Sequence, residues 1–166
     1  MHLNPSEVKD VYWLHAYDHD LAAQYPNQDG KWMMFFPMSD MDQRWSDACD
    51  LYYSGKLIGI HSLKASTSLQ NPMTNRLHAH DEGIIIFYCG KSEDEGSLMR
   101  YGKNILSLIS YPHTHFYYKS DRPHLIVPFN EYKHLYFIKT EDFYRKRVFS
   151  ALRQLENNYN LFVLSF

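Results

Sequence analysis

Residues 83–89 read Gly-Ile-Ile-Ile-Phe-Tyr-Cys, the most hydrophobic run in the chain. An unbroken apolar run of this length, rich in β-branched and aromatic residues, predicts a central strand. Just beyond it, Ser92 stands as a helix cap, and Glu93, Asp94 and Glu95 suit the positive end of a helix dipole. Leu98, Tyr101, Ile105 and Leu108 then recur at helical spacing and predict a buried stripe. The same layout occurs upstream. Lys31–Phe36 (KWMMFF), bounded by Gly30 and Pro37, predicts a buried strand. Ser39 with Asp42 three residues on predicts a capped helix start, and Met41, Trp45, Ala48 and Tyr52 form its inward stripe. Gly55 falls where a left-handed C-terminal cap is expected. Two consecutive strand-then-capped-helix units, from Gly30 to Ile109, therefore form the centre of the fold.

Working outward, Leu57–Ala65 predicts a strand and Ser66–His80 a long polar loop, broken by Asn71-Pro72. Loops of that length in compact domains are often functional. At the N-terminal side, Asn4-Pro5 is a good helix start, and a helix to about Tyr17 would put Val8, Val11, Tyr12 and His15 on one face. A loop follows at Tyr25–Gly30. At the C-terminal side, Tyr111-Pro112 ends the second helix and His115–Lys119 (HFYYK) predicts a strand. Leu125–Val127 and His134–Ile138 would pair across a turn near Asn130. Thr140 caps a third helix with Tyr144, Val148, Ala151 and Leu155 inward, and Leu161–Phe166 forms a closing strand. The expected organisation is one α+β domain over residues 1–166: helix and loop 1–30, core 31–139, helix and strand 140–166.

Bulk properties narrow the function classes. At 166 residues the chain is long enough to bury a core without disulfides or a structural metal. Its formal charge of −2 argues against a general nucleic-acid coat and leaves room for one local basic pocket. Tyrosine is the commonest aromatic and suits half-buried sheet faces and ligand grooves, offering an apolar ring and a polar tip. Cys49 and Cys89 lie far apart with no framework spacing, so both are expected as free thiols in a reducing cytoplasm. Met1–Asp10 has neither a basic start nor an apolar core, so no cleavable signal is expected. No membrane association is expected either.

Three pieces resemble the fold of the cap-binding translation initiation factor of the 4E type: Asp42-Gln43-Arg44-Trp45, the run Gly83–Tyr88, and Arg100-Tyr101-Gly102-Lys103. Gly30-Lys31-Trp32, Gly55-Lys56-Leu57, Lys64-Ala65-Ser66-Thr67 and Tyr118-Lys119-Ser120-Asp121 resemble the uncharacterised basophilic-leukaemia-expressed (Bles-type) family, which looks to share that fold. The resemblance spans about Gly30–Asp121. It implies a curved, mainly antiparallel sheet with about three helices on one face, leaving the concave face for a ligand. It does not carry cap recognition across. The initiation factors sandwich a methylated guanine between two tryptophans, and this chain has no tryptophan after Trp45 and no Trp-Glu pair.

The residues that bear chemistry are mostly basic. Lys64 ends one strand just before Ser66, Thr67 and the loop that holds Arg76, His78 and His80, and Lys119 ends another strand. Converging, they would bind phosphate, with Arg76 bidentate and the lysines as point charges. Trp32, Tyr118 or Trp13 would stack on the organic part of the ligand. The ligand classes that fit are a phosphorylated small molecule or nucleotide, an RNA end and a phosphoprotein. A second reading is an enzyme on a phosphorylated substrate, a lyase or phosphotransferase, with His61 and Lys64 in acid–base roles. A third is a protein–protein interaction domain. His78-x-His80 and His113-x-His115 could each present two imidazoles, but ten histidines make chance pairs common, and neither a metal nor a cofactor is expected.

Overall fold

The structure, a computed structural model, describes residues 2–69, 81–90, 94–121 and 136–145. Six strands form one curved, unclosed antiparallel sheet. In chain order they are β1 (Trp13–Ala16), β2 (Gly30–Pro37), β3 (Ser62–Ser66), β4 (Glu82–Cys89), β5 (His115–Ser120) and β6 (Tyr136–Lys139). Their spatial order is β1-β3-β4-β2-β5-β6. Among the described residues the helices include α1 (His19–Gln24), α2 (Met41–Tyr53) and α3 (Glu95–Leu108), with a 3-10 turn at Met38–Asp40 and the start of a further helix at Thr140.

The two hydrophobic runs that opened the sequence reading sit side by side at the sheet centre, paired from Gly30↔Cys89 to Pro37↔Glu82. Each strand is followed by a helix that carries the chain across its neighbour. From β2, α2 leads to β3 on the far side of β4; from β4, α3 leads to β5 on the far side of β2. Strand parity then sorts side chains into two layers. Trp32, Met34 and Phe36, with Leu63, Ala65, Ile85, Phe87, Phe116 and Tyr118, pack with Trp45, Ala48 and Tyr52 of α2 and Leu98 and Ile105 of α3. All are at most 3% exposed. The contact is tightest at Gly102, where a Cβ would lie 2.7 Å from Trp32 Cζ2.

Helix ends differ from expectation in instructive ways. Ser39 does not cap α2; its hydroxyl donates to Asp40, and the helix is entered through the 3-10 turn with no side-chain cap. Asp42 instead accepts from the Ser6 amide at 2.8 Å and the Ser6 hydroxyl at 2.6 Å, strapping the N-terminal segment to the helix start. The exit of α2 is as predicted: Gly55 has φ +70°, its N–H donates to Tyr52 O, and Lys56 N–H donates to Leu51 O. That is the Schellman arrangement, which only glycine adopts without strain. For α3 the described cap is Asp94, which accepts from Ser97 N at 3.0 Å. Ser92 lies outside the described residues. The buried stripe is Leu98, Gly102, Ile105 and Leu106; Leu108 is 40% exposed, because the stripe turns toward Trp32 through Gly102.

The expected N-terminal helix to Tyr17 does not form. Asn4-Pro5 makes only a turn, with Glu7 N–H donating to Asn4 O, and Trp13–Ala16 instead pairs with β3. The alternation Trp13/Leu14/His15/Ala16 buries Leu14 and Ala16, so a ladder and a half-buried face outweigh a helix with one weak stripe. The strand expected at Leu57–Ala65 is shorter, starting at Ser62. β6 pairs with β5, Phe116 facing Ile138. Thr140 begins a helix described as far as Arg145, and its hydroxyl donates to His113 O at 2.6 Å. The expected strands at 125–127 and 161–166 lie outside the described residues.

Tyr52 ties α2 to both neighbours. Its hydroxyl donates to His61 O at 2.7 Å and accepts from Asp18 N–H at 3.1 Å. Tyr52→Phe should cost about 1–3 kcal/mol, since two backbone groups lose their partner. A urea midpoint unchanged from the parent protein would show that neither bond matters.

Candidate anion-binding face

The sheet face opposite the helices carries the alternate residues of each strand that the main core does not use: odd-numbered on β1, β2, β5 and β6, even-numbered on β3 and β4. Lys31 on β2 stands opposite Tyr88 on β4 and opposite Lys119 on β5. Lys64 on β3 stands opposite Ile86 on β4 and opposite His15 on β1. Met33, Ile84 and Ile86 form a buried apolar floor, flanked by Trp13, Phe35 and Tyr88. Toward β6, His115, Tyr117 and Phe137 make a second aromatic group, with His115 and Tyr117 stacked at 5.8 Å.

The electrostatics of the three lysines are coupled. Lys31 is ion-paired with Asp121 and lies 5.4 Å from the centre of the Tyr88 ring. Lys64 Nζ lies 4.4 Å over the Trp13 ring and, among the described residues, donates no hydrogen bond. Burial lowers the pKa of both Lys64 and Lys119, the charge of Lys31 lowers each further, and Asp121 pulls each partly back. His15 is lowered by burial and then by Lys64. Like charges directly opposite in a sheet cost stability. The Lys31↔Lys119 pair breaks that local rule, and such conflicts concentrate at functional sites.

Of the residues expected to bind a ligand, Lys64 and Lys119 therefore share one face. Ser66 and Thr67 follow Lys64 but their hydroxyls hold the chain: Ser66 Oγ accepts from Ile84 N at 2.9 Å, and buried Thr67 donates to Val11 O at 2.5 Å. Arg76 and His78 lie outside the described residues. Trp32 and Tyr118 are turned to the other layer and are fully buried. Trp32 stacks on Phe116 at 4.7 Å and donates its indole N–H to Leu98 O. Parity corrects the expectation: residues adjacent to Lys31 and Lys119 in a strand cannot share their face. Trp13 can, and does.

His61 is also separated from the lysines. It shares parity with buried Leu63, is 8% exposed, and rests against Gln28, Ser62 Oγ and the Tyr17 ring. Burial alone lowers its pKa, with no lysine contributing. His61 and Lys64 do not converge on one substrate atom. Lys31, His15, Asp121 and Tyr88 escaped the sequence reading; the signal for the first was the pairing of KW with YK by parity.

His113 faces Glu82 at 3.6 Å, whereas His115 stacks on Tyr117, so this pair does not converge. Among the described residues no cluster of three or more His, Cys, Asp or Glu could hold a metal ion. Cys49 and Cys89 are free and buried, burial raising the first thiol to about 12 and the second further. No described helix is long and apolar enough to cross a membrane. No protein-family model matches the chain, and no curated protein matches it.

Proposed function

We propose that the face opposite the helices binds a phosphorylated ligand, a nucleotide, RNA end or phosphorylated side chain, with Lys31, Lys64 and Lys119 taking the phosphate. The observation that carries this is the placement of three lysines on one face, Lys31 and Lys119 directly opposed on neighbouring β2 and β5 and Lys64 on β3 across β4, with Asp121 as the carboxylate they share. A dianionic group relieves that repulsion, and a half-buried site strengthens each charge-assisted contact. Trp13 supplies a ring beside Lys64, and His115, Tyr117 and Phe137 offer another apolar wall. A 4E-like arrangement and kinship with the Bles-type family belong to this same reading, supported by the curved antiparallel sheet with helices on one side. Two buried thiols suit a cytoplasmic setting.

The test is a thermal-shift and calorimetric screen with nucleotides, cap analogues and phosphopeptides. Lys64→Ala and Lys119→Ala should each weaken binding about tenfold, the effect of one lost bond to a charged group. Lys103→Ala on α3 should not. Affinity should fall on the alkaline side before ordinary lysine titration, because a lowered pKa removes the ammonium charge earlier. The absence of a shift with every phosphorylated compound would overturn the reading.

A further inference from the structure

The basic face already holds an anion of its own, the carboxylate of Asp121, which is ion-paired with Lys31. Its position is fixed by the backbone. The β2–β5 ladder ends at Gly30↔Ser120, and Asp121 continues that register by one residue, its N–H donating to Asp29 O at 2.7 Å. Ser120 Oγ donates to the same carbonyl at 3.2 Å. Asp121 lies two residues beyond Lys119, so period two delivers its carboxylate to the face where Lys31 and Lys119 stand opposed. The Lys31 side chain is 18% exposed and that of Asp121 37%, so a dissolved molecule reaches the carboxylate more readily than the ammonium it covers. The carboxylate also favours the charged forms of Lys64 and Lys119, the part a bound anion would play.

We propose that Asp121 is a built-in competitor for the anion site: a ligand binds by displacing its carboxylate from Lys31, and the group that succeeds is a terminal phosphomonoester. This rests on the anion-binding reading above and adds to it a selection by charge. A monoanion, whether a carboxylate or a diester-linked phosphate, replaces one unit of charge beside Lys31 by another. It must also outdo a carboxylate that is tethered and loses no translational freedom on binding. A dianion makes charge-assisted bonds to Lys31 and to the opposed Lys119 together, which the single carboxylate does not match. The displaced carboxylate is already partly in water, so its release is a small step. Every ligand's affinity is nevertheless reduced by the fraction of molecules in which the internal pair is closed. Among nucleic acids, a phosphorylated end fits this site and an internal diester does not.

Methyl phosphate and dimethyl phosphate are a matched pair of probes, a dianion and a monoanion in mildly alkaline buffer that differ by one methyl group. Each is titrated into the full chain and followed at the backbone amide signals of Lys31 and Lys119. The parent protein should bind methyl phosphate and show no saturable shift with dimethyl phosphate. Asp121→Asn should tighten methyl phosphate about tenfold, the factor carried by one contact to a charged group, and bring dimethyl phosphate into the measurable range. Asp121→Glu keeps a carboxylate within reach of Lys31 and should behave as the parent. Asp10→Asn makes the same change of charge at an exposed N-terminal position and should leave both affinities as they were. Methyl phosphate binding that is weakened or unchanged in Asp121→Asn, or tightened equally by Asp10→Asn, overturns the competitor and leaves the anion site standing. Equal binding of the two esters by the parent protein overturns the selection by charge. Binding of neither ester to any of the proteins overturns the anion-binding reading, and the proposal with it.

Discussion

Trp32→Ala is expected to lower unfolding free energy by about 3–5 kcal/mol, read as a fall in the urea midpoint. The indole is fully buried at the point where β2, β5 and α3 meet. Removing it deletes the stacking on Phe116 at 4.7 Å and the edge contact with Tyr118 at 5.6 Å. It also leaves Leu98 O without the indole donor, 3.2 Å away. The neighbours are a sheet and a helix, which cannot collapse far into the space, so the cavity persists and its cost adds to the lost transfer energy. A domain of this size holds only about 5–15 kcal/mol in total, so this one change removes a large share. A loss below about 1 kcal/mol would mean that the indole is not where β2 and α3 are joined.

The second large effect lies on the other side of the same contact. Gly102→Val should cost about 1–3 kcal/mol, although valine leaves the helix backbone unstrained and has the better helix propensity. Space decides the sign. A Cβ at position 102 would fall 2.7 Å from Trp32 Cζ2, 2.8 Å from Cε2 and 2.9 Å from Ile138 Cδ1. The two indole atoms belong to a rigid, fully buried ring that cannot swing aside. The cost should shrink in a Trp32→Phe background, where the smaller ring leaves room, giving a coupling of about 0.5–3 kcal/mol in a double-mutant cycle. Strict additivity would show that α3 shifts as a body instead of pressing on the indole.

Much of the scaffold is legible in the sequence. KWMMFF and GIIIFYC became β2 and β4, and Met41, Trp45, Ala48 and Tyr52 became the inward face of α2, because apolar period and length agree there. The N-terminal segment is not legible in this way, because Val11–Ala16 is compatible with either period. Its partner, β3, lies nearly fifty positions away in sequence, and no local signal announces that pairing. For the site, Lys64 and Lys119 were visible as strand ends, but the stacking rings were chosen by type and not by parity. Trp32 and Tyr118 are large, aromatic and adjacent to the lysines, and adjacency in a strand is what sends them to the opposite layer. Applying period two consistently would have selected Trp13, Lys31 and Tyr88.

The crossing of the two central units has a consequence for how the chain reaches this state. Because α2 carries β3 beyond β4, and α3 carries β5 beyond β2, neither strand–helix–strand unit contains the strand that fills its own middle. Gly30 waits for both Cys89 and Ser120 before its ladder is complete. Loop-closure entropy must be spent on these distant pairings before contacts repay it, which places the chain among slow folders of high contact order. It also makes the two halves interdependent. A chain severed between β3 and β4 yields two fragments that each lack the other's central strand, so neither should fold alone, while the pair should reassemble on mixing.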